Sequence, residues 1–396
     1  MKNTLFKLIG LFWPIAALAG PIEDVFGAGA RNKALGGAGV AIAEDYTATF
    51  YNPSLLSFCR GSRLSLGYDY VHTGLHATPP AEQLNHYQSM NLGLCLKPLS
   101  TVGIGIYTNL SLGPIEFNPK TEDTTPTFVL YGPDLKAFSM IMAVGYAPFP
   151  WLTIGAGASL STSVKLGANL NTSIGAQTPV SAEFPTQISP ILGALVGITG
   201  VPIPELKLSL VYRSTSYGAI DIVQKTDLYN QPLITINTQG YLAYSPHQLA
   251  FGSSYVFDHR LMVSADATLY FWSAYPGRYL EIVTSQASTF APGKTISQGG
   301  NPGFSNILVP RFGLEYEVWD KLKLRAGYSY RSSPVADNSS LLLDAAANRF
   351  SLGAGYEFQL YQNIFLITDV FFSADVLRNN RGSVLNMGIL IGAEYD

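Results

Sequence analysis

Lys323, Arg325 and Arg349, with Arg213 earlier in the chain, are the residues whose type and spacing could do chemistry. Each falls in a segment that alternates apolar and polar positions, so each would share one face of a strand with Glu315, Glu317, Glu357 or Asp266. A guanidinium or ammonium group on such a face can receive a ligand carboxylate through charge-assisted hydrogen bonds. Mutual salt bridges are the commoner outcome for charges that line an enclosed space, so the four cations are candidate carboxylate contacts beside that plainer reading.

Catalytic constellations are missing. The sequence holds no Gly-x-Ser-x-Gly elbow and no His-Glu-x-x-His pair, and His72, His76, His86, His247 and His259 match no obvious nucleophile. The glycines from Gly27 onward imitate a dinucleotide fingerprint, but Asn32 stands where a glycine is required; a phosphate-cradling loop would need Gly-Lys-Ser/Thr. Cys59 and Cys95 have a spacing that suits no metal site. In an oxidising compartment they could join in a disulfide, or stand as two small half-buried residues, and both readings stay open. The chain reads as a protein that is not an enzyme and needs neither cofactor nor metal.

The elements that must position these residues follow from composition. Only 13% of the 396 residues are charged, 12% are aromatic, 38 are glycine, and mean hydropathy is +0.18. A helical membrane protein would show apolar runs of about 18 residues, and none follows the first 20 positions. A closed barrel crosses a bilayer with strands whose inner faces are polar, so it keeps a modest hydropathy. A net charge of −3 without a basic stripe argues against nucleic acid as a partner.

Residues 1–19 have the form of a secretory signal, with Lys2 and Lys7 ahead of an apolar stretch that closes on Ala17-Leu18-Ala19. From Arg63 onward, segments of about ten residues alternate, the length a tilted strand needs to span a bilayer. Phe312, Leu314 and Tyr316 would face lipid while Arg311, Gly313 and Glu315 face inward; Leu324 against Arg325, and Phe350 against Arg349, repeat the pattern. Strands are expected over 63–73, 88–97, 101–110, 136–147, 151–163, 187–198, 206–222, 246–257, 260–272, 307–318, 321–331, 347–358, 362–374 and 383–394. Fourteen is an even number, as single-chain bacterial barrels require. Pro190 and the 206–245 region are the weak points of this assignment.

Short turns near 98–100, 147–150, 258–259, 319–320 and 359–361 alternate with long polar stretches over 111–135, 164–186, 223–245 and 273–306. This asymmetry is that of an outer-membrane barrel and not of a soluble sandwich. Tyr68, Tyr70, Tyr146, Trp151, Tyr270 to Trp272, Tyr328, Tyr330, Phe371 and Phe372 would supply aromatic girdles. Phe128-Val129-Leu130-Tyr131, in a long loop, could capture an apolar solute or pack the loops together.

Residues 20–62 do not read as a strand. Small residues dominate there, which suits a compact segment tucked inside a barrel. Gly29-Ala30-Arg31, Ala34-Leu35-Gly36-Gly37-Ala38, Asp45 and Tyr51-Asn52-Pro53-Ser54-Leu55 together resemble the start of the FadL family of outer-membrane transporters, whose hatch carries Asn-Pro-Ala where this chain has Asn52-Pro53-Ser54. Leu324-Arg325-Ala326-Gly327-Tyr328 through Arg349-Phe350-Ser351-Leu352-Gly353 resembles the late strands of the same family, with Arg331 where an acidic residue is typical. The carboxy-terminal Tyr395-Asp396 departs from the usual aromatic ending.

The resemblance implies an all-β fold: a transmembrane antiparallel barrel of about fourteen strands over 63–396, with a hatch, residues 20–62, inside its lumen. It implies a multi-pass monomer of the outer membrane, in contact with its lipid, that passes long-chain fatty acids, aromatic hydrocarbons or other hydrophobic small molecules inward without energy input. Asn52 and Pro53, with Ser54, would hold the hatch; a plain Asn-Pro turn is the alternative. A FadL-like barrel serving as a surface receptor, anchor or shuttle for other proteins is the competing function.

Overall fold

The computed structural model describes residues 22–77, 81, 84–112, 127–132, 138–166, 168–174, 181–183, 186–228, 231–284, 293–300, 302–335 and 342–395. The expected signal segment, 1–19, lies outside the described residues. Fourteen strands close into one barrel. They are β1 Ser62–Leu75, β2 His86–Leu99, β3 Val102–Ser111, β4 Ser139–Phe149, β5 Leu152–Leu166, β6 Thr186–Ile203 and β7 Leu206–Arg213. Then follow β8 Gln248–Phe257, β9 Leu261–Tyr270, β10 Ile307–Trp319, β11 Leu322–Arg331, β12 Ala347–Tyr361, β13 Ile364–Leu377 and β14 Gly382–Tyr395. Each strand pairs antiparallel with its neighbours, and β14 closes on β1 in unbroken register from Ser62 opposite Tyr395 to Leu75 opposite Gly382. Closure leaves no edge strand, which a barrel in lipid requires.

The period of two read from the sequence is the period of burial. Phe312, Leu314, Tyr316, Leu324, Phe350 and Leu352 are exposed on the outer surface, whereas Glu315, Arg325 and Ser351 are buried on the inner one. No helix among the described residues is long and apolar enough to cross a membrane; the strands carry the apolar belt. At one end, two- and three-residue turns join the strands: 100–101, 150–151, 204–205, 258–260, 320–321 and 362–363. Asp258, His259 and Lys321 take positive φ there, as such tight reversals demand. This is the turn end; the long connections mark the opposite, loop end. Tyr146, Phe149, Trp151, Trp319 and Tyr361 form an exposed aromatic ring at the turn end.

Four expectations are corrected. The strand expected over 206–222 stops at Arg213, where the chain leaves the barrel wall. The stretches read as plain loops instead build a six-stranded sheet at the loop end. It runs in the order Thr295–Gly300, Arg278–Thr284, Gln231–Ser245, Ser216–Leu228, Ala168–Ile174, Ser181–Glu183. Alternation was present in 216–222, but pairing decides which sheet a segment joins. The loop-end connections are not all long, since 378–381 alone link β13 to β14. Finally, Tyr270, Trp272 and Phe371 are buried and take no part in a girdle.

Pro190 does not interrupt β6. There β6 pairs with β5, with Thr162 opposite Pro190, while β7 first meets β6 at Leu195. The missing N–H therefore falls where one side of the strand has no β7 partner.

Candidate functional site: the plug and the lumen above it

Residues 22–61 lie within the barrel as three one-turn helices and a 3-10 helix: α1 Ile22–Phe26, α2 Ala30–Ala34, α3 Ala48–Tyr51 and Pro53–Phe58. The segment enters at the loop end, where Glu23 accepts a hydrogen bond from Ser139 on β4 and Asp24 pairs with Arg213 on β7 at 2.9 Å. It ends at the turn end, where Arg60 faces Glu357. Small residues allow it to fit. A methyl group added at Gly103, Gly155 or Gly197 on β3, β5 and β6 would collide with Leu56, Pro53 or Asn52, and one at Gly327 on β11 would collide with Gly36. Gly36 itself has φ +69 and presses on the backbone of Tyr328.

Asn52-Pro53-Ser54 is the knot of this segment. Asn52 is fully buried; its Nδ2 donates to the Val40 carbonyl and to Thr199 Oγ1 on β6, both at 2.9 Å. Its Oδ1 accepts from Ser54 N at 3.1 Å and from Ser54 Oγ at 2.7 Å, capping the 3-10 helix in which Pro53 occupies the first turn. One side chain thus ties the upstream plug, the downstream helix and the wall. Beyond the helix, Cys59 forms a disulfide with Cys95 on β2, with Cα atoms 6.8 Å apart.

Across the lumen the plug is held by charge. Arg31 pairs with Glu315 at 2.9 Å, Glu315 with Arg325 at 2.6 Å, Arg325 with Asp369 at 2.5 Å, and Arg63 bridges Asp369 and Asp45 at 3.9 and 3.7 Å. This alternating chain of charges begins and ends in the plug and crosses β10, β11, β13 and β1. Lys33 reaches Asp69 on β1 at 2.8 Å, and Lys207 on β7 pairs with Glu44. Burial pulls the Arg31 guanidinium down, but the charge and hydrogen bonds of Glu315, with the charges of Glu44 and Asp45, together outweigh it and hold Arg31 above its ordinary pKa. Glu23 differs: burial pushes its carboxyl up, and Asp24 adds repulsion.

Above the plug a cavity of about 50 Å³ lies between Val25, Val40, Phe50 and Tyr51 of the plug and Val211, Arg213, Gln248, Ala250, Thr268, Tyr270, Arg311 and Arg349 of the wall. A packed roof covers it: Phe26 meets Tyr131 with ring centroids 6.2 Å apart, and Phe128, Val129, Leu130, Trp272, Tyr275 and Phe304 join the same buried cluster. Phe128 to Tyr131 therefore pack the loops and do not offer an open capture patch.

The four candidate cations separate. Arg213 and Arg349 line the cavity, but Arg213 is paired with Asp24 and Arg349 with Asp375 at 2.5 Å. Arg325, 4% exposed, is spent on Glu315 and Asp369 away from the cavity; Lys323 lies opposite Glu317 toward the turn end. The sequence reading missed Arg311. Its guanidinium lines the cavity and donates to the neutral Thr268 Oγ1 at 2.7 Å and Tyr270 Oη at 3.0 Å, with no carboxylate within salt-bridge distance among the described residues. Arg311 stands in the same inward alternation as Glu315, so its facing was legible. Its partners were not, because the guanidinium reaches along β9 to Thr268 and Tyr270 and not across to Asp266, which lies opposite in register.

No family model matches the chain. A curated relative, the alkane uptake protein A of Marinobacter nauticus, is 22% identical over 324 residues, 74% of this chain and 68% of that protein. Among solved structures, a Pseudomonas aeruginosa FadL homologue superposes with a TM-score of 0.59 at 14% identity, covering 93% of this chain and 98% of that one. The Pseudomonas putida toluene transporter TodX gives 0.59 at 17% identity over 94% and 99%, and the Ralstonia pickettii toluene transporter TbuX gives 0.57 at 19% over 94% and 100%. The fold is thus that of FadL-type barrels, the type that the amino-terminal motif resembles, and three of these proteins are named for uptake or transport.

Proposed function

We propose that this chain is an outer-membrane channel for uptake of hydrophobic small molecules, long-chain fatty acids or other apolar compounds, with the long loops outside and the short turns in the periplasm. The observation that carries the reading is the cavity above the plug. An apolar cavity of about 150 Å³ takes one benzene, so a space of about 50 Å³ admits a hydrocarbon only when the plug yields. Ligand binding and hatch movement would then be one event, requiring differential affinity for the shifted plug and no energy input. Residues 20–62 act as the hatch, Asn52, Pro53 and Ser54 hold it, and the protein works as a monomer among outer-membrane lipids. The names of the relatives, alkane uptake protein and toluene transporter, support an apolar cargo. Where the cargo carries a carboxylate, Arg311 receives it, because its partners are neutral hydroxyls that a charged acceptor displaces readily.

Binding of a radiolabelled long-chain fatty acid, an alkane and toluene to the detergent-purified protein tests the proposal. Saturable binding of any of them is expected, and Arg311→Gln should weaken the fatty acid about tenfold while sparing the two hydrocarbons. Absence of binding by every apolar ligand would transfer weight to a receptor or anchor, a reading favoured by the six-stranded sheet raised at the loop end.

A further inference from the structure

We infer that the Cys59–Cys95 disulfide divides the plug into a fixed anchor, residues 48–61, and a movable arm, residues 22–47, so that the passage opens only on the side of the lumen that the arm covers. The inference rests on the transport reading for its use, but its structural content is separate. A plug joined to the barrel only at Ser62 could swing out as one body about residues 59–61. The disulfide removes that linker, because it fixes residue 59 to β2 while the chain fixes residue 62 to β1. Any opening must then bend upstream of the 3-10 helix.

The two parts are built accordingly. The anchor sits on β3 to β6 with its backbone against wall glycines, among them Gly103, Gly145 and Gly155. Each buried side-chain polar atom of Thr49, Tyr51, Asn52, Ser54 and Ser57 has a hydrogen-bond partner. The arm contains Gly27, Gly29, Gly36 and Gly37, all at positive φ, while the anchor has no positive-φ residue. It also buries Asn32 Oδ1 and Tyr46 Oη without a hydrogen-bond partner. Its grip on the wall joins close contacts, Leu35 and Gly36 on Gly327 and Ala34 on Gly353, to ion pairs of Arg31, Lys33, Glu44 and Asp45, where the anchor has close contact and the disulfide. When the arm leaves, Arg325 keeps Glu315 and Asp369, and Arg349 keeps Asp375, while Asp69, Lys207 and Arg213 give up Lys33, Glu44 and Asp24.

Amide hydrogen exchange on the oxidised, detergent-purified full chain reads the division without any ligand. Residues 50–58 should be protected at least about tenfold more than residues 28–45, and in the Cys59→Ser, Cys95→Ser double variant that gap should fall below about threefold. Equal protection of both parts in the native protein, or an unchanged gap in the double variant, overturns the inference. A second arm moves the staple by adding Ala34→Cys and Gly353→Cys to the double variant. A Cβ at Gly353 would lie 2.5 Å from that of Ala34, so the two part by about 1 Å to reach disulfide spacing. Uptake of labelled toluene or oleate in cells should drop at least about tenfold and return on reduction, with the double variant itself within about threefold of native. Undiminished uptake with the moved staple closed overturns the inference. If the native chain takes up neither solute, the transport reading fails and the exchange result alone decides the two-part plug.

Discussion

Two arcs of the barrel wall face the plug, and they hold it by different physics. Strands β2 to β6 carry only two charged residues, Lys97 and Lys165. Strand β1 and strands β7 to β14 carry the wall charges that pair with plug charges, Arg63, Asp69, Lys207, Arg213 and Glu315, and Arg349, which donates to the Val25 carbonyl. On the uncharged arc, contact is steric and close, seated on glycine and closed by the disulfide. On the charged arc the glycine contacts at Gly313, Gly327 and Gly353 are joined by ion pairs spread over long side chains. Close packing is bistable and intolerant of added volume, whereas an ionic interface can dissolve into water and re-form. One barrel thus joins a wall built to fix with a wall built to release.

The sharpest way to break this contrast is to add volume on each arc. Gly155→Val places methyl groups into the backbone of Pro53 and Ser54, where the tethered helix cannot retreat. The expected outcome is loss of the folded, heat-modifiable barrel on electrophoresis, an overpacking penalty beyond the usual ~1–3 kcal/mol. Gly327→Val pushes equally hard, on Gly36 and Leu35, but there the arm can move aside. A folded barrel with faster hydrogen exchange over residues 28–45 is expected. Gly200→Ala, whose new carbon meets only the Leu208 carbonyl at 4.0 Å, should leave both measurements unchanged. Equal damage from the two valines would dissolve the distinction between the arcs.

Charge removal gives the reverse ordering. Arg325→Met strips two buried carboxylates of a shared partner and should destabilise the barrel by about 3 kcal/mol, measured by denaturant titration in detergent. Lys97→Met on the uncharged arc loses a single hydrogen bond to the Ser57 carbonyl and should cost less than about 1 kcal/mol. A comparable loss from Lys97→Met would show that the uncharged arc also depends on charge.

Much of the wall was legible in the sequence because alternation is local: Phe312 against Glu315, or Phe350 against Ser351, declares its face without knowledge of its neighbours. What depended on pairing across distance was not. Ser216–Leu228 continues the chain from β7 with some alternation over its first half, yet it leaves the wall to pair with Gln231–Ser245 and Ala168–Ile174. Arg213, Arg311, Arg325 and Arg349 look alike as inward arginines; only the folded side-chain geometry shows that three meet carboxylates while Arg311, opposite Asp266 in register, donates to hydroxyls. The disulfide stayed open for the same reason, since 36 residues separate its cysteines and nothing local brings them together. Asn52 was legible through its resemblance, and its geometry exceeds a plain turn because Thr199 and Val40 are both distant partners.

Asn52→Ala sharpens the comparison at the junction between the two plug parts. It leaves Val40, Ser54 and Thr199 each short of a partner in a fully buried place, a loss of about 2 kcal/mol. Because the disulfide still holds the far end, the expected result is a folded barrel with an arm that exchanges faster and an anchor that does not. Thermal unfolding and site-resolved hydrogen exchange measure the two consequences together. A uniformly loosened plug would mean that the knot, and not the disulfide, sets the boundary.

The smallest expected effect concerns acid and base at the top of the arm. Glu23 is buried, and that burial raises its carboxyl above the ordinary value of 4.5, with the Asp24 charge acting in the same direction and the Ser139 hydrogen bond against it. The folded state therefore holds the Glu23 proton more tightly than the unfolded chain does, and the ionised form is penalised in the fold. Stability from this group is greatest below 4.5, and it declines as pH rises from there through the raised folded value. The melting temperature of the native protein in detergent should consequently climb by about 2–4 °C on acidification across that window, and Glu23→Gln should flatten the climb while raising the value at neutral pH. Since Glu23 belongs to the arm, the same acidification should slow hydrogen exchange over residues 22–27, once corrected for intrinsic rates, and leave residues 50–58 untouched. A pH response shared by both parts would place the titrating group in the wall and remove Glu23 from the account of how the arm is held.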